Sequence, residues 1–530
     1  MNRPKFYVYL PIVFALILIL GIFIGSTFNS NNKLGSISFK GNNQFSKIDE
    51  ILRYIQQEYV DTVNEAQLID KTIVGMLQHL DPHSSYITAD ELQASNEPLQ
   101  GNFEGVGIEF NIVNDTICVV AAIPGGPAEN VGVQAGDKII KVNGEKVAGI
   151  KISNKGVMEK LKGKGGTKVK VGILRRKKKD LVDFTITRST IPIYSVDVAY
   201  MVAPTIGYIK ISRFAATTYD EYITAFNKLT TKGMKGLILD LRGNGGGFLN
   251  TAVDIADEFL MEGEDIVYTE GKARSRKDYK ATNKGKFEVG KLIVLTDDGS
   301  ASASEILAGA LQDNDRATIV GRRSFGKGLV QREMDFNDGS AVRLTIARYY
   351  TPTGRSIQKP YSKGNEDYFK ESDFRFLHGE LYKKDSIKVI DSLKFKTKKG
   401  KIVYGGGGIV PDVFVPLEAE HGAENVSYLL QSGIVGHFVF EQLDKDRDGF
   451  SKLTFEQFLN KINVTDLYFD DFQKYLTQNG LLVKLDHYKA LVKRYVNAEF
   501  ARQLYGDKYY YEMVLKEDAM VKAVLKGSVK

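Results

Sequence analysis

The sequence has almost no cysteine. Cys118 stands alone among 530 residues, which excludes an intrachain disulfide and a lipid-modified cysteine beside the N-terminal apolar segment. Packed cores alone must then stabilise the chain. Histidine is nearly as scarce, with His79, His83, His378, His421, His437 and His487 the six present. His79 and His83 are four apart, but Pro82 between them breaks the helix that a metal-binding pair at this spacing requires. The histidines therefore read as structural or surface residues, and no metal is expected. A strong excess of one charge is missing too. The net charge of +7 falls to +5 once Arg3 and Lys5 are set aside, and acids are interspersed with bases, which argues against dedicated nucleic-acid binding. There is no internal repeat and no low-complexity run.

One long hydrophobic run is present. Residues 6–28 contain no charge and are rich in Ile, Leu, Val and Phe; at about 1.5 Å per residue a helix of this length crosses a hydrocarbon layer of about 30 Å. Arg3 and Lys5 precede it and no charge follows until Lys33, a bias that keeps the N-terminus in the cytoplasm and exports the rest. The run ends in Ile-Gly-Ser-Thr-Phe-Asn-Ser, a poor match to a small-x-small cleavage site. The expectation is an uncleaved single-pass anchor with the catalytic part extracytoplasmic, in the periplasm, joined by an Asn-, Ser- and Gly-rich tether over 29–45.

Beyond the tether, Ile48, Ile51, Leu52 and Ile55, and then Leu68, Ile73, Met76, Leu77 and Leu80, recur at helical spacing, predicting two short helices before "LDPHSSY" at 80–86. From about residue 102 to 188 the pattern changes to short alternating strands bounded by Gly and Asn-Gly turns, with a helix predicted over 154–161. This stretch resembles a PDZ domain. The resemblance implies that a peptide end is added as a strand, its carboxylate held by backbone amides of a Gly-rich loop. Gly105, Val106, Gly107 and Ile108 fall where that loop belongs. Between 205 and 350 strands alternate with helices in an α/β manner, and after about 416 the chain is helical again.

Two stretches of the α/β region could carry chemistry. "DLRGNGGG" at 240–247 follows a buried-looking strand, and its glycines free N–H groups to face an anion. A phosphate cradle, an oxyanion hole and a plain tight turn all remain open, although neither the phosphate-loop nor the dinucleotide-loop spacing is present. "GSASASE" at 299–305 sits between a strand over 291–296 and an apolar helix face. Ser302 with Glu305 forms a capping box, and the Ala303 amide and the helix dipole favour a developing oxyanion there. A serine nucleophile needs a base, and no histidine is near. Lys327, set between two glycines, can serve when neutral, and burial among apolar groups is what makes a lysine neutral.

The run from "GSASASE" to "SFGKGLVQ" at 324–331 resembles the active-site stretch of the carboxyl-terminal processing peptidases, or tail-specific proteases. "LDPHSSY", "DLRGNGGG", "YYTPTGRSIQ" at 349–358 and "GGGGIVPDV" at 405–413 extend the resemblance, in order, over most of residues 80–413. It implies that Ser302 is the nucleophile, Lys327 the general base and Gln331 the residue orienting the lysine, with an oxyanion hole from Gly245 or Gly246 and Ala303. The fold implied is α+β and multidomain: a cytoplasmic tip at 1–5, a transmembrane anchor at 6–28, the tether, a helical N-terminal region at 46–95, the PDZ domain at 96–188, an α/β protease core of crotonase-like ββα type at 189–416, and a helical C-terminal region at 417–530.

The implied partners are C-terminal segments of protein substrates and further copies of the chain, as a dimer or larger oligomer; no cofactor is required. One position departs from the family pattern. Where many members place an arginine that couples peptide binding to alignment of the active site, this chain has Lys162, which keeps the charge and loses the guanidinium fork. "DKDRDGFSKLTFE" from Asp444 matches the first half of a calcium loop, but position 12 is Phe455 and the acid arrives one place late, at Glu456; a solvated turn between helices is the expectation. The alternative to an enzyme is a PDZ peptide-binding scaffold whose protease-like core is inactive. An acyl-coenzyme A enzyme of similar fold would need neither the serine-lysine pair nor the PDZ insertion.

Overall fold

A computed structural model describes residues 46–176, 178–418, 424–463 and 467–527. The tip, anchor and tether expected over 1–45 lie outside the described residues, as does His421. Among the described residues no helix is long and apolar enough to cross a membrane. The chain divides into two units at residue 73. The described part of the first consists of the helix Ser46–Glu58 and the opening turns of Glu65–Gln78, which carry the helical periodicity read from sequence and leave Ile51 and Tyr54 exposed.

The second unit is built around a six-stranded sheet in the order Val196–Ala203, Ile206–Ile211, Gly236–Asp240, Lys291–Thr296, Thr318–Gly321 and Val413–Phe414, the first pair antiparallel and the rest parallel. The inner positions of its central strands, Leu237–Leu239 and Leu292–Leu295, are all apolar because both faces are covered. Leu237 and Leu239 pack with Tyr222, Ile255 and Leu307 of the helices Thr218–Thr230, Leu249–Asp257 and Ala303–Asp313. Ile238, pointing the other way as strand alternation demands, packs with Met520, Val521 and Val524 of the C-terminal helix Ala519–Leu525. Fully burying each such side chain contributes about 1.5–3 kcal/mol. The loops after Gly236–Asp240 and Lys291–Thr296 leave from the carboxyl ends of adjacent parallel strands, where α/β sheets place their ligand crevices.

A second sheet sets Ala341–Tyr350 between Ser85–Ile87, Asp265–Gly271 and Leu329–Asp335, with Arg274–Lys280 closing a hairpin at its edge. The PDZ region forms its own sheet with Ile108–Val113 as an edge strand, and the helix Asn154–Leu161 begins at Ser153, whose Oγ accepts the Gly156 N–H at 3.2 Å. The chain enters and leaves this region through one two-stranded ribbon, Asn102–Gly105 against Ser189–Pro192.

The C-terminal helices have a core of their own around Phe438, Phe458, Phe472, Val496 and Phe500. They also touch the PDZ sheet. Phe440 packs on Cys118 and Val120, Lys138 pairs with Asp444 at 3.0 Å, and Arg502 with Glu109 at 2.9 Å. The calcium-loop look-alike is thereby accounted for: Asp444 is an ion-pair partner, and Asp446 accepts the Gly449 N–H at 3.2 Å at the start of the helix Arg447–Ser451. Among the described residues no group of acids, histidines or cysteine could hold a metal ion.

Candidate active site

Ser302 occupies a sparsely populated backbone conformation, φ 57° and ψ −114°, which costs a non-glycine residue about 1–3 kcal/mol. Its neighbours hold it there. Ser300 and Ser304 are fully buried and donate to Leu241 O and Asn244 O, each at 2.8 Å, while the Ala301 N–H reaches Asn244 O at 2.9 Å. The alternate serines thus sew the turn to the glycine loop, and half-buried Ser302 between them faces a cavity of about 550 Å³.

That loop is shaped by contact. Gly246 has φ +102°, and a Cβ there would lie 2.7 Å from Ser302 Cβ; at Gly247 one would lie 2.2 Å from Phe214 O. The expected oxyanion donors must be narrowed, because the Gly246 N–H donates to Asn244 Oδ1 at 2.8 Å. Gly246 serves by having no side chain rather than by its amide. The amides of Gly245 and Ala303 have no acceptor among the described residues, and Gly245 lines the cavity.

Lys327 and Gln331 line the same cavity. Lys327 Nζ donates to Gln331 Oε1 at 3.0 Å, and Gln331 Nε2 in turn donates to the carbonyl of His83. Among the described residues no hydrogen bond joins Lys327 to the Ser302 hydroxyl. Burial pulls the Lys327 ammonium below the ordinary lysine range, the Arg343 charge adds to this, and Asp81 and Glu305 oppose it. His83 is held to about 4, by burial first and then by the Lys327 charge. It stays a neutral ring packed on Phe325 and Tyr368.

Three contributors were not assigned from sequence. Fully buried Glu305 does far more than begin a helix: its carboxylate accepts the N–H of Ser302 and of Lys327, each at 2.8 Å, the Gly326 N–H at 2.7 Å and the Ser324 hydroxyl at 2.5 Å. One side chain therefore binds the backbone of both candidate reacting residues, with its own pKa pushed up by burial. Tyr349 is the second, its hydroxyl 2.6 Å from Lys327 O and 3.0 Å from Ser302 O. The third is the "LDPHSSY" turn. Asp81 Oδ1 accepts the N–H groups of His83 and Ser84 at 2.8 and 2.9 Å and the Thr345 hydroxyl at 3.0 Å, fixing the carbonyl that holds Gln331.

The four predicted peptide-binding residues do not line this cavity; they gather at the edge of the PDZ sheet. Gly105 pairs with Ser189, Ile108 opens the edge strand, and the amides of Val106 and Gly107 have no acceptor among the described residues. Gly107 has φ +76°, and a Cβ there would meet Ile191 at 3.0 Å. Lys162, at the end of the PDZ helix, lies 4.8 Å from the Phe103 ring and pairs with buried Glu97. Glu97 belongs to the helix Ala89–Gln100, whose Asn96, Leu99 and Gln100 line the Ser302 cavity.

Comparison with known proteins finds family matches in four parts of the chain. Residues 205–365 match the model for peptidase family S41, 118–175 a PDZ domain, 25–91 the activating protease CtpB N-terminal domain, and 425–506 a family of unknown function. The carboxy-terminal processing protease CtpA of Bacillus subtilis (strain 168) is 37% identical over 320 residues, 60% of this chain and 68% of the relative. A carboxy-terminal-processing protease of Bartonella bacilliformis is 39% identical over 59% of this chain and 73% of its own length. A solved photosystem II D1 C-terminal processing protease is 29% identical with a TM-score of 0.37, covering 71% of this chain and 88% of that one.

Proposed function

Because the chain belongs to peptidase family S41 and is a carboxy-terminal processing serine protease with a PDZ domain, we propose that it cuts substrate chains with a Ser302–Lys327 dyad after engaging their C-terminal ends. The observation that carries this reading is a shared cavity. Ser302, in a backbone conformation few residues adopt, borders the same space as a lysine whose charged form burial disfavours. A neutral amine that donates one N–H to Gln331 keeps its lone pair for the serine proton. Ser302 Oγ then attacks the peptide carbonyl, and the Gly245 and Ala303 amides receive the oxyanion, a contribution of about 2.7–4 kcal/mol per donor. The lysine returns the proton to the leaving amine, and water resolves the acyl-enzyme.

The PDZ loop supplies recognition. Val106 and Gly107 offer amides to a terminal carboxylate, and the edge strand beginning at Ile108 pairs with the peptide backbone. Lys162, through Glu97, links the PDZ helix to the wall of the catalytic cavity. The apolar, charge-free residues 6–28, with basic residues only on their N-terminal side, support a single-pass anchor that holds the enzyme on the extracytoplasmic face of the membrane, in the periplasm.

The test is cleavage of a substrate with an unstructured tail by the wild type, Ser302→Ala and Lys327→Ala. The expected loss is about 1,000-fold or more for each variant. Full activity in either one removes the dyad, and a wild type that binds the tail without cutting it leaves the scaffold reading in its place.

A further inference from the structure

The catalytic cavity does not end at Ser302. Phe248, Leu249, Val330 and Gln331 line both this cavity and a second one of about 850 Å³, so the two adjoin along these four residues. The second part is bordered by three cations, Arg274, Lys277 and Arg332, and by no carboxylate. All three are exposed, and among the described residues none has an ion-pair partner. Nearby cations differ. Arg276, on the same strand as Arg274 and Lys277, pairs with Asp278 at 2.7 Å and lies 3.7 Å from the Tyr268 ring; Arg343, at the catalytic end, pairs with Glu333 at 2.7 Å. Among the described residues Arg274, Lys277 and Arg332 thus have no carboxylate to neutralise them, and the one ring contact among them is that of Lys277, 4.5 Å from Tyr279.

Their positions are set by backbone. Arg274 pairs with Gly271 across the tip of the hairpin, and a Cβ at Gly271 would fall 2.3 Å from Ile346 O, so this end of the hairpin presses directly on strand Ala341–Tyr350. Tyr268–Glu270 continues the ladder on that strand, whose other side pairs with the strand carrying Gln331 and Arg332. The cations and the candidate catalytic amide therefore belong to one sheet. An extended chain advances about 3.3 Å per residue, so a space of this size is crossed in about three residues.

We propose that this extension is a specificity subsite that takes an acidic side chain of the substrate, within about three residues of the bond cut at Ser302. The inference rests on the protease reading and adds the substrate's chemistry to it. Attraction at an exposed site is modest for one pair, about 0.2–1 kcal/mol, and adds when three cations converge. It also weakens as salt shortens its range.

The experiment uses the full-length protein and a series of otherwise neutral peptides in which a single Glu, or Gln as its uncharged match, is placed at each position on both sides of the cut. At low ionic strength the wild type is expected to show a Glu-over-Gln ratio in kcat/KM of about tenfold at one position, shrinking in 0.5 M salt. In the Arg274→Glu/Lys277→Glu double variant, whose folding is checked by thermal unfolding, the ratio at that position falls to one or below. A wild type that cuts the neutral peptides with no Glu preference at any position, or a preference that survives the double charge reversal, overturns the subsite alone. If the wild type cuts none of the peptides faster than Ser302→Ala does, the protease reading and the subsite fall together.

Discussion

Two lysines, Lys359 buried and Lys327 half-buried, flank the Phe325–Gly326 turn, and they are held in opposite ways. Lys359 is 2% exposed, pairs with Glu371 at 3.1 Å, and has its ammonium 4.0 and 4.3 Å from the ring centres of Phe325 and Tyr368. A carboxylate and two ring faces are the partners a cation prefers when water is withdrawn. Lys327 has a neutral amide as its partner, and its carboxylate neighbour Glu305 is occupied by four other donors. Burial depresses both ammonium groups, but in Lys359 Glu371 pulls back directly through charge and hydrogen bond. The first lysine has a carboxylate partner that favours its charged form, and the second has a neutral amide in that place.

Exchanging methionine for each lysine breaks the comparison most sharply. Lys327→Met is expected to abolish cleavage, by about 1,000-fold or more, while leaving stability in chemical denaturation unchanged or slightly raised, because it removes an amine whose hydrogen-bond partner is a neutral amide. Lys359→Met does the reverse. It strands Glu371 with only Arg375 and Arg323, at 2.7 and 3.3 Å, and is expected to cost about 2–3 kcal/mol of stability, with a far smaller fall in kcat.

Making the first lysine resemble the second sharpens the contrast further. Gln331→Glu gives Lys327 a carboxylate, which favours the ammonium form by about one to three pH units. In the wild type kcat/KM is expected to rise with pH as Lys327 gives up its proton, at a pH below that of an ordinary lysine. In the variant this rise moves to higher pH, so activity lost at neutrality returns in alkaline buffer; an unmoved limb counts against Lys327 as the titrating base.

The smallest effect concerns His83, which borders both lysines. Its folded pKa of about 4 lies below the ordinary value of 6.5, so the unfolded chain binds the proton more readily. The stability from keeping the ring neutral is present above pH 6.5 and is lost as pH falls from there toward 4. Replacement by Gln is expected to flatten the decline of Tm between pH 7 and pH 5, measured as the difference from wild type.

Much of this was legible in the sequence. Short apolar runs marked the central strands, and the alternate serines and the Gly-Lys-Gly step marked Ser302 and Lys327 as candidates, because strand ends, caps and glycine turns are local matters. What escaped was the spending of lone pairs over distance. The capping-box spacing marks Glu305 as a helix-starting residue, yet three of the donors its carboxylate accepts come from a loop about twenty residues on. Likewise the glycine run cannot tell which of its amides the Asn244 side chain will occupy, and the "LDPHSSY" turn acts through a backbone carbonyl, which every residue possesses. Composition also could not reveal that the helices after 424 pack on both the PDZ sheet and the core.

The narrow ribbon through which the PDZ region is joined bears on how such a protein is inherited and rebuilt. Gly105 and Ser189 are direct partners across it, so everything between them forms a cassette whose ends already meet, and a short turn could close the gap without disturbing the six-stranded sheet. Phe440, seated against Cys118 and Val120, ties that cassette to the C-terminal helices: a graft that exchanged the PDZ module alone would bare an aromatic face made for another surface. The two modules form a matched pair, to be traded together or not at all.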